Sequence, residues 1–364
     1  MSDETAYTLI QAPEVLAQFL ERWKEAPWLA VDTEFVREET YYGQLCLVQV
    51  SDGTTHVCID ALALDLKPLW EFLLRPELLK VLHSAGQDLE LFVQHAGDCP
   101  RPLFDTQIAA ALLGHGEQLG YAALVERRLG VAVDKSLSRT DWSKRPLPEP
   151  ALVYAADDVR HLSAIYPALR DELAKRGRLE WLEAEGARLT EASRYKPDPA
   201  RAWRSLKGLG RLAPEAQQRA AKLVTWRETE AMARNRPRRW ILDDPSILQM
   251  ASRVPDSVEN LAKIEGVSAR RIERSGADLI ELLKEPVEAV ALIDDARETP
   301  EQRAKTQALL DHLRTRALEL EVAATLVATR SDIERLVREG PGAAVPLLSG
   351  WRRELLGNEL LAKL

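Results

Sequence analysis

The stretch WLAVDTEFVREE, residues 28–39, decides the fold. It opens on an apolar run and then places Asp32 and Glu34 two residues apart. A strand ending in Asp-x-Glu sets both carboxylates on one face, because strand side chains alternate. Carboxylates crowd together only at a cost unless cations lie between them. Three later segments each offer a further acid: VLHSAGQDLELF with Asp88, FDTQIAAALLG with Asp105, and LVYAADDVRHL with Asp157 and Asp158. Two acids on one strand edge, joined by distant acids, point to a magnesium or manganese site, since such hard cations prefer oxygen ligands. A charged strand end facing water is the competing reading of an isolated Asp-x-Glu.

Around this strand the pattern alternates. Pro13 opens a helix over 13–25, with Val15, Leu16, Phe19, Leu20 and Trp23 on one face. Strands are expected at 28–33, 45–51 and 55–60, the last two joined as a hairpin by SDGT at 51–54. Then come a helix near 66–75, a strand at KVLHS, a helix at 87–95, a strand at PLFDT and a helix at 106–114. Hairpin strands followed by such alternation imply a mixed α/β sheet with helices on both faces. A polar, Pro-rich loop at 134–150 leads to a helix at 150–172. Residues 193–202, SRYKPDPARA, read as a linker, and everything beyond reads as helical. Those helices are expected near 214–235, 245–252, 257–262, 268–283, 301–322, 329–338 and 350–362.

Composition narrows the class. The 364 residues suggest two or three domains, and 46% hydrophobic content supplies ample core. Cys46, Cys58 and Cys99 form no CxxC pair, which argues against a zinc site or disulfide framework and fits a reducing cytosol. The acidic MSDETAYTLI has no apolar signal region, and no apolar run approaches the ~18 residues of a membrane span. A soluble cytoplasmic protein is expected. The net charge of −8 is uneven: residues 1–200 carry 21 basic against 32 acidic side chains, and residues 201–364 carry 28 against 25. Residues 201–239 alone hold 11 basic and 3 acidic, which suits a polyanion, although a solvated Arg-rich helix face would look the same.

The acids suit phosphodiester hydrolysis. Two divalent ions ~4 Å apart can clamp the attacking and leaving oxygens of an in-line displacement. No Ser, Cys or His nucleophile is then needed, and the six histidines show no HExxH or clustered spacing. On a helix, Asp157 and Asp158 point about 100° apart, so only one faces a given site. Tyr154, four residues before Asp158, shares its face and favours Asp158 as the inward acid. Asp157 is then left solvent-side or behind the site. Asp105 reads as the N-cap of the helix in FDTQ.

The Asp-x-Glu in VDTEF, the acid in HSAGQDLELF and the Tyr-x-x-x-Asp of YAADD resemble, in order, the three exonuclease motifs of the DEDD family, tyrosine subclass. DKSLSRTDWSKRPL is similar to the segment between the second and third motifs of ribonuclease D, and Trp28 to Leu162 resembles that family throughout. Residues 213–294 resemble an HRDC domain, and 300–364, ending LLSGWRRELLGNELL, a second HRDC-like helical domain. The resemblance implies a ribonuclease H-like exonuclease domain at 1–195, a linker at 196–212 and the two all-α bundles behind it. It implies two Mg²⁺ or Mn²⁺ ions and 3′→5′ release of nucleoside 5′-monophosphates from RNA, with maturation of tRNA precursors as the biological task. Carried over, Asp32, Glu34, Asp88 and Asp158 are the metal ligands. Tyr154 orients the attacking water, because a phenol of pKa ~10 is a poor base at neutral pH.

For the substrate, Phe35 offers a stacking face or a buried core ring, and Gln44 and His83 flank the motifs. Lys135, Arg139 and Lys144 lie in the loop before the last motif, and RNRPRRW (234–240) and SARRIER (268–274) offer Arg to phosphates. Trp142 reads as a packing anchor. A monomer acting on RNA without a membrane is expected, and a chain ending near residue 200 is expected to keep hydrolysis of short single strands. A DNA 3′→5′ exonuclease and a non-catalytic nucleic-acid-binding protein are the alternatives.

Overall fold

Strand β2 (Trp28–Val36) is central to a six-stranded sheet of order β1-β4-β3-β2-β5-β6. The other strands are β1 (Tyr7–Ile10), β3 (Gln44–Ser51), β4 (His56–Asp60), β5 (Leu79–Leu82) and β6 (Leu103–Asp105). This computed structural model describes residues 7–134, 136–137, 140–292 and 298–364. β1 runs parallel to β4, β3 antiparallel to β4, and β2, β5 and β6 run parallel to one another. The mixed sheet expected from the hairpin-then-alternation pattern is therefore present. The SDGT turn is fixed by Asp52, whose Oδ1 accepts from the Thr54 and Thr55 amides at 2.9 and 2.7 Å.

The helices of this layer are α1 (Pro13–Arg22), α2 (Lys67–Leu73), α3 (Gly86–Ala96), α4 (Thr106–Leu112), α5 (Tyr121–Leu129), α6 (Glu149–Lys175) and α7 (Leu179–Leu189). β1, α5 and α7 are absent from the sequence expectation. α6 buries Leu152, Ala155, Ala156, Val159 and Leu162 on one stripe, and its two alanines allow close approach to the sheet. Against β6, α7 comes closer still: a Cβ on Gly186 would lie 2.7 Å from the Leu103 carbonyl oxygen. Only glycine fits there without a shift of backbone.

The chain divides into two compact units, the first containing 7–36, 45–195 and 298–364, the second 37–44 and 196–292. This differs from the expected layout in three ways. Residues 298–364 do not stand apart: Leu309, Leu310, Leu313, Val327, Ile333, Leu336 and Trp351 share one core with Ala110, Leu112, Val159, Leu162 and Leu169 of the sheet layer. Residues 196–212 are no bare linker, since Leu206 and Leu209 are buried in the core of the second unit. The segment leaving β2, 37–44, belongs to the second unit, where Tyr41 bonds Glu228 and the Asn235 side chain accepts from the Tyr41 and Tyr42 amides, each at 3.0 Å.

In the second unit, α8 (Pro214–Arg234), α9 (Arg238–Ile241), α10 (Asp244–Arg253), α11 (Val258–Leu261) and α12 (Ala269–Lys284) surround Leu223, Val224, Ile247, Met250, Leu279 and Leu283. The basic helix start is capped by Ser268, which accepts from the Arg271 amide. The remaining long helices, α13 (Pro300–Glu319) and α15 (Arg330–Glu339), with the short α14 (Ala324–Val327) between them, belong to the first unit.

Polar contacts hold the C-terminal helices to the sheet layer. Arg178 donates to the carbonyls of Leu112, Glu321 and Leu320 at 2.5, 2.8 and 2.6 Å, covering the ends of α4 and α13 together. Glu185 on α7 is 1% exposed and accepts from Trp351 Nε1 at 3.1 Å and from the Arg352 guanidinium. Trp351 stacks on Trp181 with ring centroids 4.8 Å apart. Burial alone would raise the Glu185 carboxyl, but the Arg352 hydrogen bond and charge, then Arg188, outweigh it and hold it below the ordinary range.

A chain ending near residue 200 would strip this cover from the apolar core, so it is not expected to remain a sound nuclease. Removing one partner of such a buried pair costs roughly 3–5 kcal/mol. Glu185→Gln is therefore expected to lower the midpoint of thermal unfolding clearly. Because its folded pKa is depressed, Glu185 stabilises above its unfolded pKa of ~4.3, and that contribution is lost as pH falls through the lower folded value. Thermal scans from pH 7 to 3 test this: the wild type carries this acid loss and Glu185→Gln lacks it.

Candidate active site

Asp32 and Glu34 occupy alternate positions of β2, with the buried Thr33 between them. α6 lays Asp158 across the acid-bearing face. One carboxylate oxygen from each of Asp32, Glu34 and Asp158 lies within 4.8 Å of the others, the metal-sized group among the described residues. Asp158 is 9% exposed. Such crowding has an electrostatic signature. Burial, then the charges of Asp88, Asp158 and Glu34, raises the Asp32 pKa well above its ordinary value. Burial, then Asp158 and Asp88, pushes Glu34 up to about 8. Burial pushes Asp158 up to about 7.

Asp88 reaches the site from α3, in that helix's first turn. It is 8% exposed and accepts a hydrogen bond from Thr33 Oγ1 at 2.5 Å. Burial raises it to about 7 although the Thr33 bond opposes the shift. Asp88 thus stands outside the close group of three while its charge still bears on Asp32 and Glu34. The donor set is all oxygen, buried or half-buried and crowded with like charge, which fits divalent hard cations and suits neither zinc nor copper.

Tyr154 faces the same acids. Its phenol is raised by burial and then by the charges of Asp158, Glu34 and Asp32. It packs near Trp142, ring centroids 6.3 Å apart, and Trp142 is itself buried at 2% exposure, the packing anchor expected. Asp157 instead pairs with Arg160 on the same helix. Asp105 caps α4, accepting from the Gln107 and Ile108 amides, and also accepts from the Ser84 and Ala85 amides.

The candidate substrate residues fare differently. Phe35 is half-buried against the cluster of Leu66, Trp70 and Phe92. His83 is tied to Thr106 Oγ1 at 3.0 Å and lies edge-on to Tyr121. Its pKa is lowered, chiefly by burial. Gln44 begins β3, is exposed, and belongs to the second unit. Lys144 is exposed and 3.5 Å from Asp141. Lys135 and Arg139 lie outside the described residues. In the second unit, Arg234, Arg236 and Arg238 of RNRPRRW pair with Glu230, Glu39 and Glu228.

Three supporting groups escaped the sequence reading. Tyr121 on α5 donates its hydroxyl to the Asp158 carbonyl, fixing the turn of α6 that bears the acid. Cys58 lies beneath the site, its thiol pushed up to about 12 by burial and then by Asp158 and Glu34. Arg145 anchors the loop before α6, donating to both Asp60 oxygens at 2.8 and 2.6 Å and to the Cys46 carbonyl at 2.8 Å. An Arg in a Pro-rich loop carries no local signal of such a partner.

Comparison with known proteins agrees with this geometry. Residues 7–174 match the 3′–5′ exonuclease family model and residues 216–283 the HRDC domain. Ribonuclease D of Gluconacetobacter diazotrophicus is 40% identical, with 97% of this chain and 92% of the relative covered. Ribonuclease D of Zymomonas mobilis is also 40% identical, covering 98% and 93%. The crystal structure of Escherichia coli RNase D superposes with a TM-score of 0.86 at 32% identity, covering 98% of both chains. An exonuclease sheet with its acids in place, an HRDC region behind it and full-length relatives of one kind place this chain in the ribonuclease D family.

Proposed function

We propose that this 3′→5′ exoribonuclease uses two divalent ions, Mg²⁺ or Mn²⁺, to trim 3′ extensions from tRNA precursors and other small structured RNAs, releasing nucleoside 5′-monophosphates as a monomer. The observation that carries the reading is the approach of Asp32, Glu34 and Asp158 to within 4.8 Å in a half-buried setting, with the buried Asp88 acting on Asp32 and Glu34 through its charge. The family's E. coli member is described as an exoribonuclease involved in structured RNA processing, which supports the substrate class.

In this reading Asp32, Glu34, Asp88 and Asp158 hold the ions. Bound there, the ions supply an acidified water near neutral pH and offset the charge of the leaving oxygen. Tyr154 donates a hydrogen bond that orients the attacking water, and its raised phenol keeps the proton throughout. Glu34 accepts from the terminal 3′-hydroxyl. Tyr121 holds the backbone of Asp158, and Thr33 holds the Asp88 carboxylate in one rotamer. Gln44, His83, Lys135 and Arg139 are proposed substrate contacts. Phe35 presents what remains exposed of its ring to the terminal bases.

A 5′-labelled RNA with a tRNA-like stem and a 3′ tail tests this beside its DNA counterpart. The expected result is a magnesium-dependent ladder from the 3′ end, stronger on RNA, stalling near the stem and abolished by chelator. A ladder on DNA alone would refute the RNA assignment, and no shortening in either metal would refute catalysis. Asp158→Asn is expected to lower kcat about 100-fold or more. Tyr154→Phe should be milder, and Asp157→Asn should change kcat little, since that acid is committed to Arg160. Tyr121→Phe should cost roughly tenfold in kcat through misplacement of Asp158, with the fold intact by circular dichroism.

A further inference from the structure

A cavity of about 410 Å³ opens in the second unit between the 3-10 helix Pro199–Ser205, α8 and α12. Its volume falls within the ~300–1,000 Å³ typical of small-molecule sites. Two half-buried indoles, Trp203 and Trp226, line it, and Leu282 and Leu292 add apolar wall. The tail beyond α12 is tied back to α8 beside it. Lys222 Nζ donates to Glu285 Oε2 at 2.7 Å and to the Pro286 carbonyl at 3.1 Å. Gln218 donates to the Val290 carbonyl at 2.8 Å, and Gln217 accepts from the Leu292 amide at 2.9 Å. The cavity is thus a built feature held by side-chain bonds.

Basic side chains adjoin its lining. Arg204 lies over the Trp203 ring, its guanidinium carbon 5.6 Å from the centroid. Arg219 follows the lining residue Gln218 on α8. Neither Arg204 nor Arg219 has an ion pair among the described residues, whereas Arg227, Arg234 and Arg238 do. Cations without an ion pair next to the lining residues complement a ligand that carries a flat ring and an anion on one frame. That describes a nucleotide: the ring stacks, and the phosphate lies toward the arginines. A peptide's apolar side chain would fill the cavity but give neither guanidinium an anionic partner.

We propose that this cavity receives one unpaired base of a bound RNA strand, stacked on Trp226 and Trp203, with flanking phosphates at Arg204 and Arg219. The inference rests on the RNA reading above and adds a second place, outside the acid cluster, where a single-stranded part of the substrate is gripped. Stacking on an aromatic side chain is sequence-tolerant because every base has a π-face.

The test is a two-by-two comparison on the full-length chain with excess chelator, so that nothing is hydrolysed. Wild type and Trp226→Ala are titrated with a single-stranded oligoribonucleotide and with an abasic ribose-phosphate strand of equal length. Base removal is expected to weaken wild-type binding roughly tenfold or more. Trp226→Ala should weaken the base-bearing strand similarly and the abasic strand scarcely at all, and Trp226→Phe should restore most of the affinity. Equal wild-type affinity for both strands would overturn the proposal and leave the cavity to another occupant, such as an apolar protein side chain. Equal weakening of both strands by Trp226→Ala, unrescued by phenylalanine, would also overturn it. Failure of the full-length wild type to bind either strand would overturn the RNA reading as well, so the two failures are distinguishable.

Discussion

The structure turns on the enforced closeness of carboxylates at the end of β2. Asp32 and Glu34 are near neighbours by strand geometry, and α6 brings Asp158 onto them over a stripe whose small Ala155 and Ala156 permit the approach. Burial raises Asp32, Glu34, Asp88 and Asp158 alike, and repulsion from the other acids of the cluster adds to it at Asp32 and Glu34. A fold meets that cost only if the surrounding packing overdetermines the arrangement. Tyr121 on the Asp158 carbonyl, Thr33 on Asp88 and Arg145 on Asp60 are the polar contacts that do so. Cation binding converts the same repulsion into affinity, because the charge that destabilises the empty cluster is what a divalent ion neutralises.

The core behind α6 shows why the carboxyl-terminal helices matter to the nuclease. Val159, Leu162 and Leu169 of α6 are covered in part by Leu309, Leu313 and Trp351. The buried Glu185–Arg352 pair and the stacked Trp181–Trp351 rings set which way that cover sits. A buried ion pair adds little net stability over an apolar pair, yet it penalises any arrangement that separates the partners. Its contribution is therefore registry of the C-terminal helices on the sheet layer, and through α6 it bears on the position of Asp158.

Much of this was legible in the sequence because it is written locally. The alternation around Asp32 and Glu34, the i to i+4 spacing of Tyr154 and Asp158, and the N-cap at Asp105 all follow from single-element geometry. Every strand of the sheet except β1, and most of the expected helix bounds, fell where periodicity put them. What stayed hidden depends on partners far along the chain. Glu185 meets Arg352 across 167 positions, and nothing in LEWLEAEGARL tells which of its acids will be buried. Tyr121 sits in a short helix whose pattern carries no sign that its hydroxyl will find the Asp158 carbonyl. Residues 300–364 read as a free bundle because helical periodicity reports that a face is apolar, without saying which core receives it. The segment 37–44 was hidden likewise, since its attachment depends on Asn235 adopting a left-handed backbone at φ 46° at the end of α8.

The central claim is that the acid cluster exists to hold divalent cations. Thermal unfolding of the full-length chain against Mg²⁺ and Mn²⁺ concentration addresses it most directly, with the Asp32→Asn and Asp158→Asn variants alongside. Preferential binding to the folded state raises stability with the logarithm of ion concentration above the dissociation constant. The account predicts a saturable, concentration-dependent rise in the wild-type unfolding temperature. It also predicts that both variants begin more stable without metal, because a repelling charge is gone, and respond far less to the ions. A wild type indifferent to both ions, or variants that respond as the wild type does, would contradict it.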